Sequence, residues 1–335
     1  MSKSKLKMSD KLKEQAEANR ILEIKTGSHL YGTNVETSDE DYAGIFMPSE
    51  EYVFGLKNVA EVDLGVVDKG ADGKNTAEAI DRKLYEFRKF INLAMANNPN
   101  IIEMLFVEEK NIIFCNDVGR KLLEHNHLFP NKQAAQKFIG YAKSQRHKMI
   151  IRRDHFNELR AGHSLLEKLD DKIVMAEVVK ESMNKVRITD NVADSYTTLF
   201  KKRGSHILCG DINFEPGIYV KKARKMLKER IDKVTNRKEL VLKYGFDTKF
   251  GAHLIRLLTE GITLLETGRI TFPLPNKDEL LSIRNGDLTI EEIIEYSESL
   301  ENRINLAIEK TSLPATPPYA KIEAFVIEQM RSSLL

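Results

Sequence analysis

The stretch Gly27-Ser28-His29-Leu30-Tyr31-Gly32, with Ser38-Asp39-Glu40-Asp41-Tyr42-Ala43-Gly44-Ile45-Phe46 after it, narrows the choice of fold more than any other part of this chain. Ahead of it, Ile21-Leu22-Glu23-Ile24-Lys25-Thr26 is short, branched and bounded by polar residues. That predicts a strand delivering Gly27 and Ser28 to the start of a helical turn. Glycine lets a backbone approach phosphate without a Cβ, and the following N–H groups and the Ser28 hydroxyl are donors. A glycine-serine pair alone is more often an ordinary turn, but the second half adds chemistry. On a strand, Asp39 and Asp41 project to one side and Glu40 and Tyr42 to the other. Carboxylates so spaced can hold hard cations such as Mg²⁺ or Mn²⁺ and leave positions open for water and phosphate. An isolated Asp-x-Asp is more often a solvated acidic turn. Here the apolar run from Ala43 to Met47 argues for a strand that enters the core.

Composition sets the outer limits. The 335 residues suffice for one large or two small cores. Hydrophobic residues make up 41% and no apolar run approaches membrane-spanning length, so a soluble globular protein without a membrane partner is expected. The basic segment Met1 to Met8 lacks the apolar core of a signal peptide, and the only cysteines, Cys115 and Cys209, share no motif. A reduced, cytoplasmic setting follows as an expectation, host cytoplasm if the source is viral. The net charge of +2 announces no polyanionic partner, but its distribution says more. Residues 137–153 hold Lys137, Lys143, Arg146, Lys148, Arg152 and Arg153 without an acid, and 221–230 hold six cations against Glu229. Clusters of this kind suit a phosphate backbone, although a charge run is commonly a solvated helix face.

Gly-Ser followed by Asp-x-Asp on a strand resembles the nucleotidyltransferases of the DNA polymerase β superfamily. The fuller string is similar to a prokaryotic and viral branch of that superfamily associated with RNA ligases and RNA repair. The branch also has a tyrosine-bearing helix, an Asn-Pro-Asn turn and a His-x-x-Arg-Leu helix. These resemble Tyr85-Glu86-Phe87-Arg88-Lys89-Phe90, Asn98-Pro99-Asn100-Ile101-Ile102-Glu103 and His253-Leu254-Ile255-Arg256-Leu257. The likeness covers most of 20–150 and 243–310 and is weak between about 155 and 240, which reads as a lineage-specific insertion.

The resemblance implies an α/β (α+β) chain: a small mixed-sheet, polymerase β-type catalytic domain over 1–130 and a mostly helical second half over 131–335 that contains the insertion. It implies that Gly27 and Ser28 hold triphosphate and that Asp39 and Asp41 bind two Mg²⁺ or Mn²⁺ ions. A third acid on a neighbouring strand falls by family spacing on Asp81, with Asp63 as the alternative. The NTP is both ligand and substrate, with ATP the first choice. The implied acceptor is an RNA or tRNA end, with Lys143, Arg146, Lys148, Arg152 and Arg153 on its backbone. A protein or small-molecule hydroxyl is the rival acceptor, and a non-catalytic nucleotide-sensing or antitoxin-like protein is the reading from another class. Base preference is not legible, and homo-oligomer formation stays open.

Several elements follow from periodicity. Helices are expected over 8–19, from Leu84 to a stop at Asn97-Asn98-Pro99, over 101–107 with Glu103 on the exposed side, and along a stripe from Phe138 to Ile150. A short helix or turn is expected over 50–56, a loop over 68–75 and a strand over 77–81. Further on come helices near 164–186, a hairpin within 196–220, a helix ending at Gly268, and helices over 289–310 and 320–330. Arg203-Gly204-Ser205-His206 echoes Gly27-Ser28-His29, but no Asp-x-Asp strand follows it. Lys249, His253 and Arg256 share one helical face, a candidate set to hold the triphosphate opposite the acids; an ion-paired packing face is the plainer alternative. The histidines show no metal-ligand spacing.

Overall fold

A computed structural model describes residues 3–35, 38–66, 68, 80–185, 199–233, 241 and 243–334. Two compact units divide the chain: residues 1–144 with 252–335, and residues 145–251. The boundaries therefore differ from those expected at 130 and at 155–240. The last 84 residues pack in one unit with the sheet, because the apolar stripes of their helices are buried there.

The first unit opens with helix α1 (Lys3–Ala18) and strand β1 (Arg20–Thr26), then the short helix α2 (Gly27–Tyr31) and strand β2 (Glu40–Phe46). Next come α3 (Glu50–Val53), β3 (Glu61–Asp63) and β4 (Ile80–Glu86), then α4 (Phe87–Met95), α5 (Pro99–Ile102), β5 (Ile112–Cys115) and α6 (Asp117–Glu124). The five strands form one sheet in the order β3-β4-β2-β1-β5. Only β2 and β4 run parallel; β3 and β5 pair antiparallel at the two edges.

Alternation along the strands divides the sheet into two faces. On one, Phe46, Leu84 and Val62 pack with Ala16 and Leu12 of α1. Burying those side chains is what docks an otherwise polar helix. The other face carries Leu22, Ile24 and Ile45, all inaccessible to solvent.

One expectation changes here. Leu84 and Tyr85 belong to β4, and the helix begins only at Phe87, where the Glu86 side chain caps it by accepting from the Lys89 N–H at 2.9 Å. The Asn-Pro-Asn turn is structural: the Asn98 side chain caps α5, and the buried Asn97 and Asn131 side chains donate to the carbonyls of Met95 and Phe129. The start of the expected 77–81 strand and most of the 68–75 loop lie outside the described residues.

Helix α7 (Ala134–Leu166) runs from the first unit into the second. The second unit adds α8 (Met175–Lys185), the antiparallel strands β6 (Lys201–Arg203), β7 (His206–Cys209) and β8 (Ile212–Phe214), and α9 (Val220–Lys233). Its own core includes Leu159, Leu166, Met175, Phe200, Ile207, Phe214, Val220 and Leu227. Helix α10 (Thr248–Thr267) returns to the first unit, followed by α11 (Lys277–Asn285), α12 (Ile290–Lys310) and α13 (Tyr319–Leu334). A capping box formed by Thr289 and Glu292 starts α12. Among the described residues no helix is long and apolar enough to cross a membrane.

Candidate active site

Strand β1 ends at Thr26, and Gly27 turns the chain with φ +66°, a left-handed conformation that favours glycine. The Ser28 carbonyl closes the turn by accepting the N–H groups of Gly32 and Thr33. Thr26 pairs in register with Asp41 of β2, and Asp41 pairs with Asp81 of β4. In a parallel pair such register partners point to the same face, so the two carboxylates start about 4.8 Å apart at the backbone. A Cβ built on Gly27 would lie 2.2 Å from Asp41 Oδ2. The turn is therefore in contact with the acid, and only a residue without a side chain leaves Asp41 where it is.

Asp39 is exposed and sits just ahead of β2, two residues before Asp41. Asp63 shares the face of Asp81, but its register partner is Lys83, on the far side of β4 from Asp41, and its Oδ1 accepts the Gly65 N–H at 2.8 Å. Register thus favours Asp81 over Asp63 as the neighbour of Asp41. The donors brought together are carboxylate oxygens, the chemistry a hard divalent ion prefers. Among the described residues no cluster of three or more metal-ligating side chains is closed.

Beneath the turn lies a network of buried charge. Glu103, expected on the exposed side of its helix, is 2% exposed. The Tyr31 hydroxyl donates to it at 3.0 Å, the Thr26 hydroxyl also bonds it, and Arg256 Nη1 reaches it at 3.1 Å. Thr26 and Tyr31 flank the turn, so one carboxylate ties down both of its ends. Arg256 also donates to Glu260, one helical turn further along α10, at 2.9 Å, and its guanidinium lies 4.2 Å from the centre of the Tyr31 ring.

Burial pushes the Glu103 and Glu260 carboxyls up, Glu260 to about 8, and drives the Tyr31 phenol well above its ordinary range. Burial works against the Arg256 charge, yet Glu260, Tyr31 and Glu103 outweigh it and hold the guanidinium protonated. Arg256 is thereby committed to carboxylates from within, which removes it from the expected triphosphate set. It serves to position the turn.

The turn is also held from outside. The Tyr31 carbonyl accepts the Leu274 N–H at 3.1 Å, and Arg284 of α11 donates to the Thr33 carbonyl at 2.7 Å.

RlaP, the RNA repair pathway DNA polymerase beta family, matches residues 1–191, more than half of the chain. The chain belongs to this family. The match extends the likeness seen in the sequence to α1 at one end and to α8 at the other. An uncharacterized 38.9 kDa protein of enterobacteria phage T4, from the nrdC-mobD intergenic region, is 22% identical over 314 residues, covering 85% of this chain and 88% of that protein. A crystal structure of a nucleotidyltransferase-like protein from Exiguobacterium sibiricum aligns over 97% of this chain and 80% of its own with 8% identity. Its TM-score of 0.25 is too low to bear on the fold.

In this RlaP-family chain the remaining expected residues are dispersed. His253 stands 2.8 Å from Arg256 at the edge of the buried network, while Lys249 is exposed and falls in the second unit. Along α7, Lys143 lies 3.4 Å from Glu301 and Arg153 donates to Asp154 at 3.0 Å. Arg152 stacks on Phe250 at 4.6 Å and faces Asp247, and Arg146 is half-buried. Lys148 is exposed with no acid partner among the described residues. Much of the helix's positive charge is thus answered by this chain's own acids. The sequence pattern assigns no role to Tyr31 or Glu260 and expects Glu103 on an exposed face; the four-residue step from Arg256 to Glu260 is the one local clue.

Proposed function

We propose that the chain transfers a nucleoside monophosphate from an NTP, ATP first, to the terminal hydroxyl of an RNA or tRNA, releasing pyrophosphate. The observation that carries the proposal is the row Thr26–Asp41–Asp81 across three adjacent strands with Gly27 in contact with Asp41. Family membership supports it.

In this reading Ser28 and the backbone of the turn hold the β- and γ-phosphates, with His253 as a further donor. Asp39, Asp41 and Asp81 would hold two Mg²⁺ or Mn²⁺ ions, whose bound charge offsets the charge on the attacking and leaving oxygens. The acceptor oxygen forms a bond to the α-phosphorus, the bond from that phosphorus to the bridging oxygen breaks, and the hydroxyl proton passes to the Asp81 carboxylate. Placement of the reactants is the protein's main contribution, and the clamp on both ends of the turn supplies it.

The test is incubation with each α-labelled NTP, Mg²⁺ or Mn²⁺, and total RNA. Label should enter RNA with the wild type, and both Asp39→Ala and Asp41→Ala should lose transfer by at least about a hundredfold. Wild-type rates in Asp39→Ala would remove the site assignment. Label on protein would replace the acceptor, and no label from any nucleotide would favour a nucleotide sensor. Gly27→Ala should lose transfer as well while folding normally, because the new methyl displaces the Asp41 carboxylate.

A further inference from the structure

The charge of this chain is divided unevenly. Residues 145–251 carry 24 lysines and arginines against 15 aspartates and glutamates, a net of +9 in a chain whose total is +2. That leaves −7 on residues 1–144 and 252–335. A field of one sign confined to one folded unit is the electrostatic footprint of a polyanion site. Part of the excess is committed: Arg224 pairs with Asp171 at 2.7 Å, and Arg230 with Asp211. Lys202, Arg203, Lys221, Lys222 and Lys228 are exposed and have no ion pair among the described residues.

Two features within the unit say which polyanion fits. Between α8 and the β6–β7 hairpin lies a cavity of about 320 Å³ with an apolar floor of Ala176, Val179, Ile207 and Pro216. Lys180, Lys202 and His206 line it as well. The His206 ring is fixed at both nitrogens, by Ser205 Oγ at 3.0 Å and by Glu215 at 2.9 Å. This hairpin holds the Arg203-Gly204-Ser205-His206 string that had no role in the transfer site. A small apolar slot beside cations suits a flat base whose phosphate stays outside.

The second feature is Tyr219, three residues beyond Pro216. It is 58% exposed although its backbone bridges Val174, and Lys221 and Lys222 follow it. An exposed aromatic ring on a backbone held in place, beside lysines, offers a stacking platform. A slot, an exposed ring and exposed lysines in one folded unit suit an unpaired strand, because a duplex keeps its bases stacked and out of reach of both slot and ring.

We propose that residues 145–251 hold the acceptor as single-stranded RNA. One unstacked base enters the slot, a second stacks on Tyr219, and Lys202, Lys221 and Lys222 take the phosphates. This rests on the reading of an RNA acceptor and names the part of the chain that would grip it.

The experiment is a fluorescence-anisotropy titration of a labelled single-stranded RNA of ~12 nucleotides with the full-length protein, at several salt concentrations. Tyr219→Ala should weaken binding on the order of tenfold and leave the salt slope unchanged. The double change Lys221→Ala, Lys222→Ala should lower the slope by about 2, and the paired Lys→Arg changes should restore it. Asp41→Ala should bind RNA as the wild type does. Loss of affinity in the Tyr219 and lysine variants with no transfer from any NTP would sustain this proposal and end the catalytic one. Equal affinity in all variants, or no RNA binding by the wild type, would overturn it.

Discussion

Glu23 and Glu260 are each only 1% exposed, yet their carboxyls are driven in opposite directions. Burial raises both. At Glu23, on the sheet face covered by α1, the guanidiniums of Arg82 and Arg20 more than reverse it, and the carboxyl ends below its ordinary range. At Glu260, beneath the turn, one guanidinium serves two carboxylates and burial wins, so the carboxyl rises to about 8. The guanidiniums that reach each carboxylate, set against how deeply it is buried, decide the outcome. Two guanidiniums on one buried carboxylate, shared only with the more exposed Glu17, keep it charged at neutral pH; one guanidinium between two fully buried carboxylates leaves a cluster that still carries an exchangeable proton there.

The largest test of this contrast is Arg256→Met, which leaves two buried acids without a cation. Urea unfolding should report a loss on the order of 3–5 kcal/mol. Arg82→Met should cost less, about 1–2 kcal/mol, because Arg20 still pairs with Glu23. Equal losses would break the comparison.

The pH dependences should also oppose each other. The folded protein keeps the Glu260 proton up to about pH 8, whereas the unfolded chain releases it near 4.5. The folded state therefore binds more protons in that window, and the contribution of this group to stability falls as pH rises across it. Glu260→Gln should flatten that fall in the denaturation midpoint. The contribution of Glu23 is present above about 4.5 and is lost as pH falls through its lower folded value. Glu23→Gln should remove only that acid-side loss. The smallest effect expected is from Tyr31→Phe, which deletes the hydroxyl bond to Glu103 at a cost of about 1 kcal/mol. Its signature is a raised KM for NTP at an unchanged unfolding slope, since the turn loosens while the core stays packed.

The parts of this molecule legible from sequence were the local ones. Gly27, Ser28, Asp39 and Asp41 lie within fifteen residues of one another; local pattern puts Gly27 and Ser28 at the turn and Asp41 on β2, whereas Asp39, expected on the strand, falls just ahead of it. The helical spacing of Leu84, Phe87 and Ile91 predicts helix at Leu84 and Tyr85. The strand wins because Leu84 is needed in the pocket formed by Ala16, Phe46 and Val62. Glu103 is buried rather than exposed for a different reason. Its partners are Tyr31, 72 positions before it, and Arg256, 153 positions after it. No window of sequence contains all three. Arg256 matches a phosphate ligand by its helical face alone, and the two acids around it engage it instead.

The Thr26–Tyr31–Glu103–Arg256–Glu260 cluster also constrains how a lineage of such chains can drift. Replacing the arginine alone strands two acids, and replacing one acid alone alters the charge the others were fitted to. Arg256 is therefore the member of the cluster that a single substitution removes at the greatest cost. A chain that dispenses with Arg256 has to change Glu103 and Glu260 with it, although the three lie far apart in the gene.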